Sequence, residues 1–246
     1  MSFVLYLAMT AAELQQHSAP SFPIGWMACH FSPYGTGLSN IPRTLPPGSL
    51  LMVNDRTPVN GHDPGLIAAQ LEETAHRLEC SGIVLDFQRP NENLTQQIAD
   101  AVCQLPFPVA ITPPYAANRE CAVLLPPIPL DMQPEVYLSA WEGREIWLEM
   151  ATDGSCIRIT KDGNQKLPPV AQTLPYPHTD ENLFCRYRID VQSQHIDFHL
   201  CRDEGCLRAL MEANEKWGIH RFVGLYQQLG SACSQLLAQD TARFQS

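Results

Sequence analysis

Apolar runs of strand length recur through the first half of the chain, at Phe3–Ala8, Ile24–His30, Leu50–Asn54, Ile83–Phe87, Val109–Thr112 and Ala122–Leu125. They are continuous rather than alternating, which is the pattern of strands covered on both faces in a parallel sheet. Helical spacing fills the gaps between them. Ile67, Leu71, Ala75 and Leu78 share one face after His62-Asp63-Pro64, where Asp63 suits an N-cap and Pro64 a first turn. Leu94, Ile98, Val102 and Leu105 repeat that spacing after Asn91. Strand, helix, strand implies right-handed βαβ units. The connections Pro113–Cys121 and Pro126–Pro134 are too short and proline-rich for full helices, so a barrel here is irregular on that side.

The pattern changes after Pro134. Glu135–Trp141, Arg144–Ala151 and Ser155–Thr160 read as strands, joined by the turn signals Glu142-Gly143 and Thr152-Asp153-Gly154. Residues 166–182 read as a loop, and Phe184–Val191 with His195–Cys201 as a hairpin across Gln192-Ser193-Gln194. An antiparallel β insertion is therefore expected at about 135–200. Leu207, Leu210, Met211 and Asn214 then restore a helix, Phe222–Tyr226 a strand, and Ser231–Phe244 a closing helix. The predicted fold is α/β, a single domain over 1–246, built as an irregular (β/α)8 TIM barrel with an antiparallel segment in its second half. The 246 residues agree with the ~250 typical of that fold.

Composition narrows the partners. The net charge of −10 repels nucleic acid and anionic lipid, so neither is expected to bind. No segment approaches the ~18 apolar residues of a membrane span. The apolar stretch at residues 3–12 follows no Lys or Arg and reads as a first strand rather than a signal peptide. Nine cysteines occur without a C-x-x-C, which predicts reduced core thiols and a cytoplasmic setting. His195, Asp197 and His199 alternate along one strand and share a face, but an exposed hairpin carries such residues freely, so no metal is expected. Gly35-Thr36-Gly37 has neither the P-loop lysine nor the dinucleotide spacing, and no cofactor is expected.

One strand ends in an acid and an amide, Ser81-Gly82-Ile83-Val84-Leu85-Asp86-Phe87-Gln88. It resembles the fourth-strand signature D-G-x-D-x-D-x-E of family 18 glycoside hydrolases, the chitinase-like enzymes. Gly82 and Asp86 match, Ser81 and Val84 replace two acids, and Gln88 stands at the catalytic glutamate's position. Residues 184–230 also resemble the last section of that family, with Tyr226 at the place of a tryptophan under the substrate. The resemblance implies a TIM barrel with a sugar site at its mouth. It also implies that the family's chemistry is lost, since an amide is no general acid.

In such barrels function sits at the C-terminal ends of the strands. Those ends offer Tyr34, Asp55 with Arg56, Asp86 with Gln88 and Arg89, Glu149, and Tyr226. The expected function is binding of a small-molecule or oligosaccharide ligand at the mouth, by Gln88, Tyr226, Arg89, Arg56 and Tyr34, without family 18 catalysis. One alternative is an active glycoside hydrolase that uses Asp55, Asp86 and Glu149 as its acids. Another is a structural or interaction protein with a closed mouth.

Overall fold

The continuous apolar strands have two faces to bury, and the computed structural model covers both. It describes residues 3–16, 22–35, 37–57, 61–89, 93–168, 175–230 and Leu236. The first half runs β1 (Val4–Met9), α1 (Ala11–Gln16), β2 (Ile24–Phe31), β3 (Leu38–Ser39), β4 (Leu50–Asn54), α2 (Pro64–Arg77), β5 (Gly82–Asp86), α3 (Asn93–Val102), β6 (Val109–Ile111), α4 (Pro113–Ala116) and β7 (Ala122–Leu125). The second half runs α5 (Pro134–Ser139), β8 (Ile146–Met150), β9 (Gly154–Thr160), β10 (Gly163–Leu167), β11 (His178–Asp180), β12 (Cys185–Val191), β13 (Ile196–Cys201), α6 (Glu204–Asn214), β14 (Arg221–Leu225) and α7 (Tyr226–Leu229).

Eight strands pair in parallel in the order β1-β14-β8-β7-β6-β5-β4-β2, and β1 also pairs with β2, which closes the barrel. Alternation along each strand sorts the core into two layers. Tyr6, Leu50, Met52, Val84, Leu124, Trp147 and Val223 fill the barrel interior. Leu51, Val53, Leu85, Ile111 and Leu148 face outward onto helix residues such as Ile67, Leu71, Ile98 and Leu210. α2 begins as its sequence predicts: Asp63 accepts a hydrogen bond from the Leu66 N–H at 2.9 Å, and Pro64 opens the first turn. Between β6 and β7 there is only the single turn α4, in line with the short proline-rich connection.

Two expectations change. Glu135–Trp141 is not a strand; Pro134–Ser139 is the helix α5. Pro134 fixes the φ of a first helical turn, and burial falls on Pro134 and Leu138, four residues apart, while Val136 is exposed. The strand read at Arg144–Ala151 is the barrel strand β8, parallel to β7 and β14, and not part of an antiparallel insertion. The antiparallel sheet follows it, with the order β10-β9-β13-β12-β11. Its edge strands β10 and β11 lie partly within the stretch read as a loop. Gly163–Leu167 and His178–Asp180 are polar and mostly exposed, and pair chiefly through their backbones, so no hydrophobic alternation marks them. The hairpin β12–β13 forms across Gln192-Ser193-Gln194 as predicted. The expected closing helix at Ser231–Phe244 lies outside the described residues except for Leu236, which is helical and buried.

The buried Arg202 fastens this sheet to the barrel. Its guanidinium donates to the carbonyls of Ile128 at 2.7 Å, Leu183 at 3.0 Å and Phe184 at 3.1 Å. Burial pushes its pKa down, and the three carbonyls are the partners that a buried cation requires.

Gly82 is a packing necessity. A Cβ there would stand 2.8 Å from Cη2 of the fully buried Trp147 and 2.9 Å from the Pro108 carbonyl. Gly82→Ala is therefore expected to destabilise the barrel by about 1–3 kcal/mol through overpacking. A melting temperature lowered by roughly 3–10 °C would bear this out; an unchanged one would show that the site has room.

Candidate functional site

Strand alternation decides which residues reach the mouth. Val84 points into the barrel, so Asp86 and then Gln88 line the cavity at its C-terminal end. Trp147 points in, which brings Glu149 to the same cavity from the seventh barrel strand. Met52 points in, and Asn54 follows it. The cavity is open and holds about 590 Å³, within the range of small-ligand sites. Among the described residues nothing plugs the mouth. Met27, Pro127 and Leu225 add apolar lining, and Thr10, Arg56, Asp153, Gln227 and Gln228 add polar groups.

The two acids are unequal. Burial, and then the negative charge of Asp86, push the Glu149 carboxyl up from 4.5 to about 7. Asp86 is hydrogen-bonded instead: the Gln88 amide donates from Nε2 to its Oδ1 at 2.7 Å. Tyr137 stands near Glu149; burial and that carboxylate raise its hydroxyl, which donates to the Pro126 carbonyl at 3.1 Å.

Asp55 has a different place. It is 1% exposed and absent from the cavity lining. Its two oxygens accept the Gln88 N–H at 3.0 Å each, and Oδ2 accepts the Arg89 N–H at 2.9 Å. It holds the loop after β5, and so sets where Gln88 can reach. Arg89 continues that loop; its guanidinium donates to the Arg56 carbonyl at 2.9 Å, and its own carbonyl accepts the Tyr115 hydroxyl. Of the predicted set, the structure therefore brings Asp86, Gln88, Glu149 and Arg56 into one cavity.

Tyr226 and Tyr34 do not line it. Tyr226 opens the helix α7, one residue past β14, and packs against the outer core. Leu225 takes the position at the mouth. Tyr34 is 86% exposed in the turn after β2. Thr10, Met27, Asp153 and Leu225 were not singled out from sequence. Parity would have found two of them, since Thr10 follows the inward Ala8 and Leu225 the inward Val223.

The His195-Asp197-His199 face is less exposed than a free hairpin face, with Asp197 and His199 both buried. Ligand atoms of Cys156, Asp197 and His199 lie within 4.8 Å of one another. Arg158 takes both Asp197 oxygens at 2.8 Å, and Asp190 takes His199 Nε2 at 3.1 Å. Those contacts already engage two of the three groups, so the face reads as a polar network.

The class that fold and cavity define is an eight-stranded α/β barrel with a pocket of mixed polar and apolar lining at its C-terminal mouth. No family model matches the chain, and neither does any curated protein sequence. Solved structures do resemble it. A chitinase from Chromobacterium violaceum is similar over 97% of this chain and 99% of its own, at 13% identity and TM-score 0.54. The spore cortex-lytic enzyme SleL of Bacillus cereus is similar over 91% of this chain and 70% of its own, at 12% identity and TM-score 0.54. SleL of Bacillus megaterium gives 91% and 70%, at 10% identity and TM-score 0.51. At such identities the likeness is one of fold alone, an eight-stranded α/β barrel.

The Glu149 shift has a stability consequence. The folded chain holds the Glu149 proton up to about 7, whereas the unfolded chain releases it near 4.5. Folding therefore takes up a proton in that window, and stability falls as pH rises through it. The penalty is absent below the window, complete above it, and on the order of 3 kcal/mol. Glu149→Gln removes it, so urea unfolding should show the variant gaining on wild type between those two pH values. A pH-independent difference would mean that Glu149 titrates like an exposed glutamate.

Proposed function

We propose that the protein binds a carbohydrate or glycan fragment in the barrel mouth and does not cleave it by the family 18 route. The observation that carries this reading is the end of β5, where the Gln88 amide stands two residues after Asp86 and donates to it at 2.7 Å. By the sequence resemblance, that position belongs to the family's proton-donating glutamate. An amide there can orient Asp86 and hydrogen-bond a ligand, but it cannot protonate a leaving oxygen.

The rest of the cavity supports a sugar-sized, hydroxyl-rich ligand. Asn54, Asp86, Gln88, Gln227 and Gln228 present donors and acceptors that can pair with neighbouring hydroxyls, and Met27 and Leu225 supply apolar surface. The fold neighbours, a chitinase and two spore cortex-lytic enzymes, direct the choice of ligands to chito- and peptidoglycan oligosaccharides.

A second reading has one observation in its favour. A buried carboxyl raised to about 7 is half protonated near neutral pH, as a general acid requires, and it faces Asp86 across the same cavity. On that reading Glu149 gives the proton and Asp86 is the partner carboxylate. Asp55 takes no part, because its oxygens are bonded to the β5 loop.

Titration calorimetry against a panel of chito- and peptidoglycan oligosaccharides tests the proposal. We expect at least one to bind with Kd between about 1 μM and 1 mM. Asp86→Ala and Gln88→Ala should each weaken it about tenfold or more. No heat of binding across the panel would sink it. Turnover of an aryl glycoside that disappears in Glu149→Gln would instead establish the second reading.

A further inference from the structure

Two cysteines that play no part in the mouth meet on the opposite face of the barrel. Cys103 directly follows α3, and Cys121 directly precedes β7, so both lie toward the N-terminal ends of the strands. Their Sγ atoms are 2.9 Å apart, with Cys103 donating, and both are free thiols. A disulfide bond needs about 2.05 Å, so closing it takes a sulfur shift of under about 1 Å, within reach of side-chain rotation. Cys103 is half-buried and Cys121 is 8% exposed, so a small reagent has a way in from the Cys103 side.

The surroundings favour one sulfur as the nucleophile. The hydrogen bond from Cys103 holds the Cys121 thiol below its usual range, and the guanidinium groups of Arg144 and Arg119 add to that, against burial. The same hydrogen bond, together with burial, raises Cys103. The cations are themselves fixed: Arg144 donates to the Cys121 carbonyl at 2.9 Å, and Arg119 pairs with Asp100 at 2.8 Å. A thiol with a lowered pKa beside fixed cations, and a second thiol in contact with it, suits stepwise oxidation.

We propose that Cys103 and Cys121 form an oxidation site, a dithiol that a small peroxide converts to a disulfide linking α3 to β7. The Cys121 thiolate attacks hydrogen peroxide, breaking its O–O bond; Cys121 becomes a sulfenic acid and hydroxide leaves. The sulfur of Cys103 then attacks the Cys121 sulfur. The S–S bond forms, the S–OH bond breaks, and the Cys103 proton leaves with that oxygen as water. The two thiols together lose two electrons, and the peroxide gains them. The cross-link spans 18 residues of chain and includes β6, so it restrains the unfolded state more than it alters the folded one. The mouth lies at the other end of the strands and is left as it was.

Peptide mapping of the full-length protein tests this. The protein is treated with hydrogen peroxide, alkylated under denaturing conditions, digested without reduction and examined by mass spectrometry. The expected product is a Cys103–Cys121 linked peptide, two hydrogens lighter than the sum of its parts and lost on treatment with dithiothreitol. The oxidised protein should melt roughly 5–10 °C higher than the reduced one. In Cys103→Ser the Cys121 sulfenic acid has no resolving thiol and should be trapped by dimedone. If that variant fails to fold, the wild-type map decides alone. The proposal is overturned if both cysteines are recovered alkylated after oxidation, or if the disulfide forms instead among Cys185, Cys201 and Cys206.

Discussion

The mouth of this barrel depends on the buried carboxylate of Asp55. At 1% exposure it has no water to solvate it, and the backbone N–H groups of Gln88 and Arg89 take that role. A buried acid with such partners is satisfied, while one without them costs several kcal/mol. The loop after β5 is therefore held where the acid needs it. From there the contacts run on without a break. Gln88 reaches back to Asp86, and the charge of Asp86 helps to keep a proton on Glu149 across the cavity. Asp55 thus anchors the Gln88 backbone, the Gln88 side chain holds Asp86, and the charge of Asp86 adds to the burial that keeps a proton on Glu149.

The two-layer packing makes this possible. Trp147 and its neighbours fill the barrel interior below the mouth, so the cavity has a solid base and the strand ends project from a rigid frame. Gly82 belongs to the same frame, since its missing side chain is the space in which Trp147 lies. The antiparallel sheet is held separately, by Arg202 on three carbonyls. That division suits a barrel in which the chemistry of the mouth can change while the scaffold stays constant.

Much of the scaffold was legible in the sequence because buried parallel strands are written as uninterrupted apolar runs, and each of the six runs in the first half became a barrel strand. Val136-Tyr137-Leu138 was misleading because a short helix after a proline buries only Pro134 and Leu138, too few to show a helical period. The strands β10 and β11 were illegible because polar edge strands are held by backbone bonds that carry no side-chain signature. At the site, Asp86 and Glu149 lie at strand ends on the inward parity, and Gln88 follows Asp86 by two residues, which made them readable. Tyr226 lies one residue past the end of β14, in the helix α7, so the inward parity of the strand stops at Leu225. Asp55 was legible as an acid at a strand end. Its partners are main-chain amides thirty-three and thirty-four residues away, which no local pattern announces.

The central claim is that Glu149 shares one cavity with Asp86, where burial and the charge of Asp86 together keep a proton on Glu149. Carbon-13 NMR of the Glu149 side-chain carboxyl, followed across pH in wild type and in Asp86→Asn, measures this directly. The account predicts a midpoint of about 7 in wild type and a lower one when the charge of Asp86 is removed. A midpoint near 4.5 in both proteins would contradict it, and would mean that the two acids do not share a cavity.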